Sequence, residues 1–219
     1  MHNAHGYYII LTIFYHARIT DIIINMEKTK KRAITNEVER KLVHMAHTLT
    51  IAFMVMNCSY TTIISAEIIF LILVSVVRKM RWFHSLQEVD RVSYGEFFMP
   101  IAFIILAAFN TDKWIFLASV LHLAFADVAA ALVGTVWGGR QYGMFGLKKT
   151  VIGTSAFVLV SIITVSGILS YGLPITNYGW LITIAFVAAV ATIMENTSPL
   201  GSDNLTIPLS VTCMLYALT

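Results

Sequence analysis

Long apolar runs are the feature that most constrains how this chain can fold. Candidate helical spans lie at residues 7–25, 42–58, 61–77, 97–109, 114–137, 151–172, 179–194 and 205–219. A membrane-spanning helix needs about 20 mostly apolar residues. Charged residues make up 12% of the chain, whereas soluble domains usually carry about 25%. The sequence therefore predicts an all-α fold, a polytopic transmembrane bundle of about 7–8 spans.

The distribution of positive charge predicts the orientation of this bundle. With the N-terminus outside, 13 of the 15 Lys and Arg residues fall in segments 26–41, 78–96 and 138–150. Cytoplasmic loops of membrane proteins carry such an excess. We therefore expect a multi-pass protein whose polar clusters, and hence its active site, lie on the cytoplasmic side.

The chain is interpreted as a single integral-membrane domain over residues 1–219. Residues 1–35 would form a peripheral first span and basic linker, and residues 36–219 the main bundle. The net charge of +3 gives no indication of a nucleic-acid partner. The sequence leaves open the oligomeric state and whether the first span belongs to the bundle.

A first polar cluster, NEVERKLVHMAH, precedes the second span. On a helix, Glu37, Arg40, Lys41 and His44 share one face, because they are spaced by three, four and seven residues. Such a face could anchor the helix at lipid headgroups, or it could bind an anion beside a buried site. The spacing alone does not decide between these interpretations.

A second cluster surrounds a single carboxylate in the apolar run LHLAFADVAAALVG. Asp127 is the only formally charged side chain from Trp114 to Trp137, with His122 counted as neutral, and intramembrane carboxylates usually face the bundle interior and mark function. Ala126, Ala130, Gly134 and Gly138 recur every four residues beside it, a pattern that allows close helix contact. Asp127 should therefore point inward, as a functional group or as a structural hydrogen-bonding residue. His122 is interpreted as a packing or hydrogen-bonding residue.

The segment after this run combines glycines with cations. Arg140, Lys148 and Lys149 accompany glycines at 138, 139, 143 and 146, and a helix is predicted to begin near Thr150. Backbone amides at a helix start bind phosphate favourably. The spacing is not that of a P-loop. The alternative is a flexible basic loop that anchors the protein at the membrane.

A third cluster, MENTSPLGSDNLTIPL, supplies oxygen ligands between two apolar spans. Glu195, Asp203 and Asn204 offer carboxylate and amide oxygens of the kind that bind Mg²⁺. A solvated acidic loop is the simpler alternative. The sequence SYGE, at residues 93–96, precedes another span and could approach the same site.

Taken together, these clusters resemble the polyprenol kinase family, which includes dolichol kinase, phytol kinase and CTP-dependent diacylglycerol kinase and is related to phosphatidate cytidylyltransferase. EVERKLVH is similar to the family block E-x-x-R-K-x-x-H, and DVAAALVGTVWG…KKTVIGT to its D-x-x-A-x-x-x-G…K-K-[ST]-x-x-G pattern. SYGE and GSDNLTIPL follow the family in the same order, over residues 36–209. The family commonly has Glu where this chain has Ile152. The closing GSDNLTIPL favours the kinases over the cytidylyltransferases.

The resemblance implies a lipid alcohol as acceptor and a nucleoside triphosphate as donor, with CTP as the expected nucleotide. It also implies Mg²⁺ as cofactor. Asp127, Asp203, Asn204 and Glu195 are the expected metal ligands. The donor phosphates are assigned to Arg140, Lys148, Lys149, Thr150, Gly153 and Gly134. The catalytic set comprises Asp127, His44, Arg40, Lys41 and Glu37, with Asp127 or His44 accepting the hydroxyl proton.

Other functions stay open at this point. A phosphatidate cytidylyltransferase-like CDP-lipid synthase would use similar metal and phosphate ligands but release pyrophosphate. A non-enzymatic membrane protein could keep the same scaffold. A transporter could also place Asp127 in a bundle, although it would more often show paired half-sequences, and no clear internal repeat is present here.

Overall fold

The computed structural model describes residues 34–80, 93–144, 147–172 and 178–218, and it is helical almost throughout. The predicted span 7–25 lies outside the described residues. In chain order the elements are α1 (34–57), α2 (Tyr60–Met80), α3 (Gly95–Ala108), α4 (Lys113–His122), a π-helical turn (Leu123–Asp127), α5 (Val128–Trp137), β1 (Gln141–Met144), β2 (Leu147–Thr150), α6 (Val151–Tyr171), α7 (Tyr178–Thr197) and α8 (Asp203–Leu218).

The remaining predicted spans each correspond to a helix, with ends that differ by a few residues. The largest difference is α1, whose helix already includes residue 34 and so carries the polar cluster that precedes its apolar part. By length and composition, the helices that could cross a membrane are Tyr60–Met80, Lys113–Trp137, Val151–Tyr171 and Gly179–Thr197. These helices give the described chain the character of an integral membrane protein.

Helix α8 packs against α3, α4 and α7. Helix α6 packs against α4, α5 and α7. Their contacts bury large apolar side chains completely, among them Phe103, Phe116, Phe157, Ile207 and Leu215. His122, at the end of α4, is also fully buried and lies 2.6 Å from the Ser161 hydroxyl, which confirms its hydrogen-bonding role.

The glycines of α5 and α6 allow these two helices to approach closely. A Cβ atom on Gly153 would stand 2.8 Å from the Ala130 carbonyl oxygen, and one on Gly134 would stand 2.7 Å from Thr150 Oγ1. Thr150 caps α6, because its side chain accepts a hydrogen bond from the Gly153 amide at 3.1 Å. The small-residue pattern therefore forms the predicted helix contact.

A short antiparallel hairpin departs from the all-helical prediction. Gly138 and Gly139 end α5 with φ angles of +63° and +96°, which favour glycine. Strands β1 and β2 then pair Tyr142 with Lys149 and Gly143 with Lys148. These strands have four residues each and include Gly and Lys, so they lack the apolar alternation that identifies a strand in a sequence.

Candidate active site

Asp127 lies at the end of the π-helical turn and points into the bundle, where it is 3% exposed. Lys41 Nζ donates a hydrogen bond to Asp127 Oδ2 at 2.5 Å, and His44 Nδ1 lies 3.5 Å from the same oxygen. Lys41 and His44 are themselves buried, with 4% and 7% exposure. The predicted inward orientation of Asp127 is confirmed. A π-helical turn inside an α-helix is often found at functional sites.

The first turns of α1 supply the cations of this site. Lys41 and His44 are three residues apart on a helix, so both reach Asp127 from one face. Arg40 makes a two-point ion pair with Glu37, at 2.7 and 3.1 Å. Burial acts to lower the pKa of Arg40, but the hydrogen bond with Glu37 and the charges of Asp127 and Asp203 raise it above its ordinary value. The Arg40 guanidinium therefore keeps its positive charge in the site.

The hairpin places one of its two lysines in the site. Lys149 is partly buried and forms an ion pair with Glu195 at the end of α7, whereas Lys148 is exposed. Tyr142 is paired with Lys149 across the hairpin, and side chains of such a pair lie on the same face. The Tyr142 hydroxyl donates to Asn196 Oδ1 at 2.6 Å, so this face of the hairpin is bound to α7.

The SYGE and GSDN segments, which are about 100 residues apart in the chain, dock on each other. The Tyr94 amide donates to the Leu200 carbonyl at 2.8 Å. Gly201 has a φ of +83°, and a Cβ atom on it would stand 2.7 Å from the Gly95 backbone nitrogen. A Cβ atom on Gly95 would overlap the Asn204 side chain. Both glycines are therefore required where α3 and α8 begin.

These segments surround one small polar pocket. It is lined by Arg40, Lys41, Ser93, Leu147, Lys149, Ser198, Leu200, Gly201, Asp203 and Asn204. Three cationic side chains thus face a pocket with one carboxylate, Asp203, in its lining. Such a charge balance suits an anion with several negative charges, for which Lys and Arg side chains are the usual ligands.

The phosphate-binding residues predicted from the sequence divide into three groups. Lys149 lines the pocket. Arg140 and Lys148 are exposed. For Lys148 the reason is the alternation of side chains along β2, which directs it away from the face of Lys149. Thr150, Gly134 and Gly153 take part in the contact between α5 and α6. Ile152, at the position where the family commonly has Glu, is 42% exposed.

The predicted metal ligands have oxygen atoms available, but they do not form a ready cage. Within the described ranges, no group of three or more His, Cys, Asp or Glu side chains could hold a metal ion. Asp127 and Glu195 are instead paired with Lys41 and Lys149. Among the described residues, Asn204 Oδ1 and Glu195 Oε2 are buried without a hydrogen-bond partner. Mg²⁺ usually keeps several waters and binds one or two carboxylates together with substrate phosphates. The residues fit that mode of binding.

Glu67 is a buried acidic residue outside the set of predicted site residues. It lies in α2, is fully buried and contacts His47 of α1. The signal that identified Asp127 was also present here, because Glu67 is the only acidic or basic side chain between Tyr60 and Val77. The roles of Tyr142 and Asn196 gave no such signal, since both depend on contacts between distant segments.

Comparison with known proteins identifies a relative. The chain is similar to the phytol kinase of Synechocystis sp. (strain ATCC 27184 / PCC 6803 / Kazusa), with 35% identity over 140 residues. The match covers 61% of this chain and 58% of that protein, so it spans little more than half the length of the relative. No protein-family model matches the chain, and no solved structure gives a significant match. The similarity confirms the relationship with the polyprenol kinase family that the motifs predict.

Proposed function

We propose that the protein is a membrane lipid-alcohol kinase. It would transfer the terminal phosphoryl group of a nucleoside triphosphate, with CTP as the expected donor, to a phytol-like alcohol, a polyprenol or diacylglycerol. The observation that carries this proposal is the buried Lys41–Asp127–His44 cluster beside a cationic pocket. The name of the Synechocystis relative supports the choice of acceptor.

The pocket cations would hold the phosphates of the donor. Arg40, Lys41 and Lys149 face the pocket from two separate elements, α1 and β2. Phosphoryl transfer depends mainly on positioning and on stabilising charge, so these side chains would both orient the phosphates and offset their charge. Asp203, Asn204, Glu195 and Asp127 would hold Mg²⁺, which supplies further charge neutralisation when bound.

His44 is the better placed of the two candidates to accept the proton of the alcohol. Its Nδ1 faces Asp127 at 3.5 Å, and its Nε2 is buried without a hydrogen-bond partner in the described chain. With the proton on Nδ1, Asp127 would orient the ring and leave Nε2 free as an acceptor. The alcohol oxygen would then bond to the terminal phosphorus as the bond to the nucleoside diphosphate breaks, and the hydroxyl proton would pass to Nε2.

The arrangement of the helices supports a multi-pass protein with a cytoplasmic active site. The site and most of the described cations lie at one end of the bundle. This end comprises the start of α1, the basic end of α2, the hairpin and the start of α8. Under the positive-inside rule this end faces the cytoplasm. The lipid tail would stay in the bilayer while its hydroxyl reaches the Asp127 cluster.

The test is an assay of phosphoryl transfer by the purified protein. Mg²⁺ and γ-labelled CTP or ATP are supplied with phytol, a polyprenol or diacylglycerol, and Asp127→Asn serves as the inactive control. Label in the lipid phosphate supports the proposal. Formation of a CDP-lipid with release of labelled pyrophosphate would instead identify a cytidylyltransferase. No transfer to any alcohol with either nucleotide would overturn the kinase assignment and leave a transporter or a non-enzymatic role.

A further inference from the structure

Glu67 is a buried carboxylate that the proposed chemistry does not use. Of the 21 residues of α2, only Ile63 and Glu67 are buried, and Glu67 has no exposed surface. An acidic side chain inside a membrane helix is costly and usually has a partner and a function. As far as the described residues show, its polar partner is His47, and it neither lines the polar pocket nor bonds to a residue that does. A contribution to the site is therefore made through neighbouring residues.

The partner of Glu67 is His47 on α1. His47 Nε2 lies 3.0 Å from Glu67 Oε1. The imidazole ring stacks on Phe70 of α2, with ring centroids 3.9 Å apart and 25° between the planes. Phe103 of α3 meets the same ring edge-on, with centroids 6.2 Å apart. The ring is thus held by a hydrogen bond and by aromatic contacts from two helices.

His47 lies on the helix face that carries the candidate catalytic residues. It follows His44 by three residues and Lys41 by six, so it stands about 4.5 Å further along the axis than His44. A rotation of α1 by one residue, about 100°, would remove Lys41 and His44 from Asp127. The contact between His47 and Glu67 opposes such a rotation.

We propose that Glu67 is a positioning residue of the kinase: through His47, it fixes the rotation of α1 that presents Lys41 and His44 to Asp127. This inference rests on the proposed function.

The polar nature of the Glu67–His47 pair favours a positioning role over a purely stabilising one. Among the described residues, Glu67 Oε2 and His47 Nδ1 are both buried without a hydrogen-bond partner. Such atoms lower stability. Apolar side chains of similar size in place of a buried ionic pair often stabilise a protein as well or better. What the apolar pair lacks is a directional bond that sets the rotation of one helix against another.

The test separates positioning from stability with the variants Glu67→Gln, Glu67→Leu and the double variant His47→Leu/Glu67→Leu. Thermal unfolding, kcat and the KM for the nucleotide are measured for each. We expect both Leu variants to lose about 10- to 100-fold in kcat, the loss typical of a small misplacement of reacting groups. The KM for the nucleotide should rise in the same variants, because Arg40 and Lys41 line the pocket from the helix that turns. Glu67→Gln, which can still accept a hydrogen bond from His47, should keep most of the activity.

Ser75→Ala provides the matched control on the same helix. Ser75 is exposed and its hydroxyl bonds only to the Leu71 carbonyl of its own helix, as far as the described residues show. This variant should behave as wild type. A double Leu variant that is as stable as wild type and equally active would overturn the positioning role.

A second measurement separates this inference from the kinase assignment. If the wild-type protein phosphorylates no alcohol, the proposed function fails, and positioning is then judged from stability alone. The unfolding midpoints of Glu67→Leu, Asp127→Asn and their combination form a double-mutant cycle. Positioning predicts that Asp127→Asn costs less stability once Glu67 is replaced. Additive effects would contradict it.

Discussion

Asp127 and Glu67 are both single carboxylates in apolar helices, but they lie in different surroundings. Asp127 contacts a lysine ammonium and a histidine, and Lys41 also lines the pocket. Glu67 contacts a histidine that stacks on one phenylalanine ring and meets a second one edge-on. A buried carboxylate beside cations and a pocket can take part in chemistry. One that contacts only an immobilised side chain can affect chemistry only through the orientation of its neighbours.

The largest expected effect is the loss of activity in Asp127→Asn. This change removes the charge while it keeps the size, so His44 loses its orienting carboxylate, and under the proposed function Mg²⁺ would lose one of its ligands. We expect a decrease in the rate of label transfer of about 10²- to 10⁴-fold, the usual contribution of acid–base groups. Glu67→Gln should lose far less. If the two variants lose similar amounts of activity, the distinction between the carboxylates is wrong.

The control for this variant is Asp112→Asn, at the start of α4. Asp112 caps the helix by accepting hydrogen bonds from the Trp114 and Ile115 amides. Asn caps helices about as well as Asp. The activity of Asp112→Asn should therefore match that of wild type, and thermal unfolding should show that both Asn variants are folded.

The next effect concerns stability. Lys41→Met leaves Asp127 buried without its ammonium partner, and breaking a buried ion pair in this way costs about 3–5 kcal/mol. Adding Asp127→Asn should recover part of that loss. His47→Leu also leaves a buried carboxylate, Glu67, without its partner. It should destabilise the protein less, because a histidine is charged only when protonated and so contributes less charge attraction than an ammonium, and because apolar packing against Phe70 is kept. The free energy of unfolding in detergent is measured for all three variants. A larger loss of stability in His47→Leu than in Lys41→Met would reverse the comparison.

The two lysines of β2 test whether the pocket near Asp127 binds the donor. Lys149→Met should raise the KM for the nucleotide by about 10- to 100-fold, as expected for the loss of one charged hydrogen bond. Lys148→Met removes the same charge from the exposed face of the same strand and should leave KM nearly unchanged. Equal effects of the two variants would show that the lysines act only through general positive charge.

The smallest effect should come from the helix contact behind Asp127. Gly134→Ala places a methyl group 2.7 Å from Thr150 Oγ1, and such overpacking costs about 1–3 kcal/mol. Gly167→Ala is the control, since nothing lies within 4 Å of its added methyl and alanine favours a helix by up to about 1 kcal/mol. The midpoint temperature of thermal unfolding should thus fall in Gly134→Ala and should stay the same or rise in Gly167→Ala.

The helices and the central carboxylate could be predicted because their signals are local. Apolar length identifies the spans, and a single charge in an apolar run identifies Asp127. Helix spacing also indicated Lys41 and His44, and the oxygen-bearing segment before the last span indicated Asp203; the family resemblance then assigned all of them to one site. Glu67 carried the same local signal, and weighing every isolated charge equally would have found it.

The remaining features depend on contacts that a sequence does not display. The hairpin register decides that Lys149 faces Glu195 while Lys148 is exposed. The docking of Gly95 against Asn204 joins segments about 100 residues apart. Pairings of this kind follow from the packed bundle. The sequence therefore predicts phosphate binding for Arg140, Lys148 and Lys149 alike, and only the structure shows that Lys149 alone of the three lines the pocket.

The π-helical turn at Leu123–Asp127 also bears on how this chain should be aligned with its relatives. A turn that holds an additional residue is equivalent to a one-residue insertion within a continuous helix. A relative with a regular α-helix at this position would align with the chain both before and after the turn only if the alignment had a one-residue gap there. Shortening the segment by one residue would rotate α4 by about 100° relative to α5, and the carboxylate and His122 could no longer both keep their neighbours.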